Sequence, residues 1–227
     1  MLDVVGETVE ALCRYIQFVS DLDDCPLLVN GPTYNVRVSA IRFAAEIGLE
    51  KRVIYNSINY TFNEDEAEAI REAGVKTALV QAFNPGDPRP KGMVSIARKL
   101  LRLARNAGVE KTLLLTPVLD VPSIGLGAAG LRALKSEVGL PTGTVPLGVI
   151  GKWRETVRYG EDAKRLFRAG VLALSQAMGA DFIIYGSVAK AEHVFPICAL
   201  IDALIAYNAR LQGFKILTRD HPFYKIL

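Results

Sequence analysis

The chain has 227 residues, half of them hydrophobic and 8% aromatic, with 27 Lys and Arg against 24 Asp and Glu for a net charge of +3. That length suits one large α/β domain over residues 1–227, and the weak charge argues against a nucleic-acid footprint. The basic residues fall instead at helical spacing (Arg98, Lys99, Arg102, Arg105; Lys164, Arg165, Arg168), as on a solvated helix face. Cys13, Cys25 and Cys198 are widely separated, with Cys13 and Cys198 inside helix patterns where they read as small buried hydrophobes. The set points to a reducing compartment and to neither disulfides nor zinc, and His193 and His221 make no metal-ligand pair. No leader pattern and no uninterrupted run of roughly 20 apolar residues is present, so the expectation is a cytoplasmic protein without a transmembrane segment.

Residues 2–5 read as a short strand ending at Gly6-Glu7-Thr8, with Thr8 placed to cap a helix over 9–19 in which Leu12, Tyr15, Ile16 and Val19 recur at helical spacing. A second strand, LLV, follows Pro26 and ends at Asn30-Gly31, and a helix over 35–47 closes at Gly48. The third strand, 52–59, carries Asn56, Ser57 and Asn59 at its end. Asn63 then caps an acidic helix start, Glu64-Asp65-Glu66, suited to the positive end of the helix dipole. Strand 77–82 leads through the turn-rich loop Phe83-Asn84-Pro85-Gly86-Asp87-Pro88 into a helix over 92–106. The stretch LTPVLDVPSIGLG, 115–127, completes a strand over 113–119, places Asp120 at its end, turns on Pro122 and enters a helix running to 138. A weaker strand over 141–147, a long helix over 162–178, a strand over 182–185 ending in Gly186-Ser187, a helix over 194–211 and a closing segment at 220–224 follow.

Seven strand-then-helix units in strict alternation predict parallel strands buried on both faces, and hence an α/β, TIM-like (β/α)8 barrel that lacks its first βα unit. A barrel one unit short leaves an unpaired edge, so association into a homo-oligomer is expected. The strand ends then assemble one face carrying Glu7, Asn30, Asn56, Ser57, Asn59, Asn84, Asp120, Ser123, Thr144 and Ser187. The set is rich in amides, with no Lys, Arg or His and no paired carboxylates. That argues against Schiff-base aldolases, metal-dependent hydrolases and glycosidases. Amides with a carboxylate suit a heterocycle that offers both donors and acceptors, such as a pterin or purine edge. Taken singly, each Asn is ordinary turn chemistry and Asp120 an ordinary helix cap; the collection is what carries the reading.

YNSIN at 55–59, VLDVPSIG at 118–125, the region DFIIYGSVAKAEHVFPICALIDALIAY at 181–207 and the closing HPFYKI make the chain similar to the H subunit of the tetrahydromethanopterin S-methyltransferase complex over nearly its whole length. That family belongs to the pterin-binding TIM barrels. The resemblance implies transfer of a methyl group from N5 of a methyl-tetrahydropterin to the Co(I) of a corrinoid on a partner protein. It implies no tightly bound cofactor, and as partners a corrinoid protein or the components of a membrane methyltransferase complex, to which the chain would be peripheral. DVPSIGLG also resembles the Asp-Pro-Gly-Ile-Gly-Phe-Gly turn of the dihydropteroate synthases. By that match Asp120 holds the amino-pyrimidine edge, Asn56 adds an amide contact and Asn30 a neutral one. Asn59, Asn84, Ser123 and Ser187 would line the mouth where the corrinoid protein docks. Two positions depart from the family's pattern. Asn30 stands where a run like Leu-Ile-Asp-Ser-Thr has its aspartate, and Val145-Pro146-Leu147-Gly148 stands where a run like Gly-Pro-Ala-Asn-Ala has an asparagine. The rival expectation is a non-catalytic relative that binds a pterin or serves as a scaffold. Methyl transfer from a tertiary amine needs a proton or hydrogen-bond donor for the leaving nitrogen. Co(I) is itself the nucleophile, so a site without catalytic Ser, Cys or Lys is compatible with the reaction.

Overall fold

In the computed structural model, whose described residues are 1–226, seven parallel strands alternate with helices in an α/β fold of the TIM-like kind. The residues group into two compact units, one of 1–115 with 137–141 and the other of 116–136 with the residues from 142 onward.

In the first unit, β1 (Leu2–Val5), β2 (Leu27–Asn30), β3 (Val53–Ile58), β4 (Thr77–Gln81) and β5 (Lys111–Thr116) each pair in parallel with the next. Helices α1 (Val9–Leu22), α2 (Tyr34–Glu46), α3 (Glu64–Glu72) and α4 (Pro90–Asn106) connect them. Strands covered on both faces are apolar throughout rather than alternating, and Leu27, Leu28 and Val29 are all buried. The helix starts are set by the caps the sequence offers: Thr8 Oγ1 accepts from Ala11 N at 3.2 Å and Asn63 Oδ1 from Glu66 N at 3.0 Å. Val5 is the register partner of Asn30, and Asn30 of Asn56, so the ends of β1 and β2 are level with Asn56, two residues before β3 ends; the β3–β4 register shifts between Asn56 and Ile58. Glycines follow two of these ends. A Cβ on Gly6 would come within 2.6 Å of Leu12 Cα, and one on Gly31 within 2.7 Å of Val36 Cγ1, so each helix packs directly against the strand end that precedes it.

A buried charged group ties three of these elements together. Arg37 of α2 donates from Nη2 to Glu66 Oε1 of α3 at 2.7 Å, from Nε to Tyr55 Oη of β3 at 3.1 Å, and from Nη1 to the carbonyl of Gly31 at 3.1 Å. The Tyr55 hydroxyl also donates to Glu66 Oε1. In the sequence Glu66 reads only as a first-turn acid for the helix dipole; in the fold it is 1% exposed and pairs with a residue 29 positions away. Its Oε2 is buried and has no hydrogen-bond partner among the described residues.

The second unit contains α5 (Ser123–Glu137), β6 (Thr142–Thr144), α6 (Leu147–Lys152), α7 (Glu155–Ala177), β7 (Phe182–Ile183), α8 (Ala191–Leu211) and α9 (Phe223–Ile226). β6 and β7 pair in parallel, and Asp181 joins α5 to this pair, accepting from Lys135 Nζ at 2.6 Å and from Thr142 N at 2.8 Å. Leu147, Leu172 and Val194 form its apolar centre, with Val171, Ile183, Tyr185, Ile197 and Cys198 packed around them.

Several expected boundaries move. β5 stops at Thr116 instead of reaching 119, and β6 at Thr144 instead of 147, because Pro117 and Pro146 follow and have no N–H for the ladder. The residues after Pro146 form the unexpected α6, and the helix expected over 162–178 starts at Glu155, broken at Gly160 (φ 80°). Cys13 and Cys198 are half-buried rather than buried. With its preceding 3₁₀ turn, α8 makes a 24-residue helix, Val188–Leu211, in which an 18-residue window reaches a mean hydropathy of 1.5, long and apolar enough by length and composition to cross a membrane. The sequence places a helix here, over 194–211, but the charged Asp202 and Arg210 interrupt its apolar run. Only 17% of that window is buried, and Phe195, Leu204 and Leu211 are exposed.

Removing one partner of a buried ion pair leaves the other charge uncompensated. Arg37→Leu or Glu66→Leu should each lower unfolding stability by about 3–5 kcal/mol in urea titrations, with the double substitution costing less than the sum. Losses under about 1 kcal/mol would mean that the pair is not desolvated in solution.

Candidate functional site

Three polar side chains meet at the ends of β1, β2 and β3. Asp3 Oδ1 accepts from Asn30 Nδ2 at 3.2 Å and from Asn56 Nδ2 at 3.1 Å, and Asp3 Oδ2 lies 3.3 Å from Asn30 Nδ2. Asp3 is level with Leu28, two residues before the level of Val5, Asn30 and Asn56, so its Cα lies about 6–7 Å of strand below theirs and its carboxylate reaches up to the two NH₂ groups. Asn56 is buried, while Asn30 and Asp3 are partly so. No donor among the described residues reaches Oδ1 of either asparagine. Burial pushes the Asp3 carboxyl above the ordinary carboxylate range, against the opposing pull of the two asparagine donors. Next to Asn56, Tyr55 is fully buried, and desolvation drives its phenol well above the usual value, so it stays protonated.

The other residues picked out in the sequence are placed differently. Asn59 Oδ1 accepts from the backbone N and the hydroxyl of Thr61 at 2.9 and 2.7 Å; Asn84 Oδ1 accepts from Gly86 N at 3.0 Å, and its Nδ2 donates to Gly92 O at 3.3 Å. Both side chains are engaged in turns. Asp120, in the second unit, lies four residues beyond the end of β5 and not at it. It is exposed, and its Oδ1 accepts from Ser123 N at 2.9 Å while Ser123 Oγ accepts from the backbone N–H groups of Leu119 and Asp120. The Ser123 backbone N–H holds the Asp120 carboxyl below its ordinary value. Ser187 is exposed and opens the 3₁₀ turn, its carbonyl accepting from Lys190 N at 3.0 Å; Gly148 lies in α6, with open space where a Cβ would stand. Of the residues singled out in the sequence, Asp120 and Ser123 meet in a helix cap, and in the first unit Asn30 and Asn56 converge on Asp3, which is not among them. Its signal is an acid inside an otherwise apolar four-residue strand. No group of three His, Cys, Asp or Glu suited to a metal occurs among the described residues.

The strand–helix repeat and a polar cluster toward the carboxyl ends of parallel strands define an α/β, TIM-like protein with polar groups where that architecture presents its functional residues. The chain belongs to the family described as tetrahydromethanopterin S-methyltransferase MtrH subunit, whose model matches residues 1–217. It is 31% identical over 239 residues to the H subunit of tetrahydromethanopterin S-methyltransferase from Methanothermobacter marburgensis and 32% over 239 residues to that from Methanothermobacter thermautotrophicus, each alignment spanning 100% of this chain and 77% of the relative. The equivalent protein of Methanopyrus kandleri is 30% identical over 98% of this chain and 76% of its own length. Among solved structures, dihydrodipicolinate synthase from Aquifex aeolicus overlays 98% of this chain and 78% of its own at a TM-score of 0.46 and 20% identity, a likeness on which nothing below rests.

The raised pKa of Asp3 has a stability consequence with a definite sign. The unfolded carboxyl titrates near 3.8 and the folded one higher, so between those values the folded state holds more protons and stability falls as pH rises. Urea unfolding at a series of pH values should show the wild type losing stability relative to Asp3→Asn through that window. Parallel pH slopes for the two proteins would mean that the carboxyl is not desolvated.

Proposed function

We propose that this chain transfers the N5 methyl group of methyl-tetrahydromethanopterin, or of a related tetrahydropterin, to the Co(I) of a corrinoid carried by a partner protein. The observation that carries the reading is membership of the MtrH family across residues 1–217; relatives of 30–32% identity bear the name of the tetrahydromethanopterin S-methyltransferase H subunit. The polar cluster agrees in chemistry, because Asn30 and Asn56 present amide oxygens with no protein donor among the described residues, suited to the N–H groups of a pterin. Asn56, and with it Asn30, grips the heterocycle. Asp120, exposed and kept ionised, is an acceptor by charge, and the pterin-binding role that the resemblance gives it is tested with it. Asn59, Asn84, Ser123 and Ser187 shape the loops that the corrinoid protein would meet. The corrinoid is the second substrate: its Co(I) electron pair forms the bond to the methyl carbon, the N5–carbon pair remains on N5, and N5 takes up a proton.

Incubation with methyl-tetrahydromethanopterin and free cob(I)alamin should bleach the Co(I) absorbance. Asn56→Ala should slow that reaction by about 10–100-fold, the cost of one lost buried hydrogen-bonding partner, and Asp120→Asn measured alongside tests the second acceptor. Turnover indifferent to both substitutions would keep the reaction and discard these residues. Absence of turnover together with a silent pterin-binding titration would discard the enzyme and favour a scaffold role.

A further inference from the structure

We propose that Asp3 is the specificity-determining positioning residue of this site: by holding the NH₂ groups of Asn30 and Asn56 beneath the surface, it presents both amide oxygens to the 2-amino and N3–H donors of the bound pterin. The inference rests on the pterin reading above and says how that ring is told from its close analogues.

An ionised carboxylate can only accept hydrogen bonds. A side-chain amide beside one therefore has a single favourable orientation, with NH₂ inward and C=O outward, and here one carboxylate orients two amides at once, with Oδ1 shared between Asn30 Nδ2 and Asn56 Nδ2. The asparagines are direct register partners on neighbouring strands, so their Cα atoms stand on one level, and Asp3 springs from two residues below and reaches both NH₂ groups with one oxygen. That depth makes Asp3 act through the amides. Two adjacent acceptors match two adjacent donors, which is what the 2-amino-4-oxo pyrimidine half of a pterin offers along its N3–C2 edge. Replacing the 2-amino group by a carbonyl, as in lumazine, sets an acceptor against an acceptor and leaves a buried amide oxygen unpaired. Asn30 withholds the carboxylate that the family pattern has at that position, and Asp3 on the adjacent strand returns one within hydrogen-bond reach of the same amides. The desolvation that raises the Asp3 pKa also works against stability, and an Asn at this position would avoid it.

The test compares pterin with lumazine, both fluorescent, in binding titrations against the full chain at neutral pH. The wild type should prefer pterin by about 10–100-fold, the discrimination expected when a mispaired analogue strands one buried polar group. Asp3→Asn can itself donate, so it frees the two amides to turn over. It should reduce the preference to within about threefold while melting no lower than wild type. The double substitution Asp3→Asn/Asn30→Asp, which moves the carboxylate one strand across, should restore it. If Asp3→Asn does not fold, Asp3→Ser provides the same loss of the carboxylate. A wild type that binds both rings equally, or a folded Asp3 variant that keeps the preference, overturns the inference while leaving pterin binding intact. A wild type that binds neither ring overturns the proposed function instead, and this inference with it.

Discussion

The arrangement at the ends of β2 and β3 depends on one guanidinium. Arg37 reaches Glu66, the Tyr55 hydroxyl and the Gly31 carbonyl, and those contacts lie immediately beside Asn30 and Asn56. Gly31 follows Asn30 and Tyr55 precedes Asn56 in the chain. A buried charge held by three partners has far fewer acceptable geometries than an apolar contact of the same size, because any departure leaves a desolvated polar atom unpaired. The pair therefore does more than hold α2 to α3: it anchors the residue after Asn30 and the residue before Asn56 to one group, and so steadies where the two amides stand. An apolar substitute of similar volume could preserve packing and still lose that alignment.

Two carboxylates in this chain show how environment separates chemistry from scaffolding. Asp120 is exposed and spends an oxygen on the first turn of α5, which lowers its pKa and keeps it an acceptor at any ordinary pH. Asp3 lies among apolar strands with only neutral donors for company, and its pKa moves the other way. The first is the pattern of a helix cap and the second that of a group held at some cost, as binding sites commonly require.

Much of the fold is legible in the sequence, because its signals are local. Thr8 and Asn63 announce their helices, apolar runs between helices announce parallel strands, and all the strands but β6, which is Thr-Gly-Thr, fall where those runs are. What escapes depends on distance along the chain. Glu66 meets a partner 29 residues away and Asp3 meets partners 27 and 53 residues away, separations that no periodicity reveals. Asn30 and Asn56 stand out because they are amides at or near the ends of apolar runs, and Asn59 and Asn84 follow such runs too although their side chains serve turns. Asp120 draws notice through its glycine-bearing surroundings, yet the prolines around it end the strand early and leave it on a loop. In α8 the helix is legible, but Asp202 and Arg210 break up an apolar stretch of high mean hydropathy over 18 residues.

The glycines behind the strand ends carry an evolutionary consequence. At positions 6 and 31 any side chain would strike the following helix, at Leu12 and at Val36. Drift at those two codons is closed, and the polar layer cannot be altered by adding bulk from behind. A descendant of this chain that changes what it recognises must do so at the strand residues themselves, and charge is free to move only sideways, from one strand end to its neighbour. The contrast between Asn30 and Asp3 has the form such a step would leave.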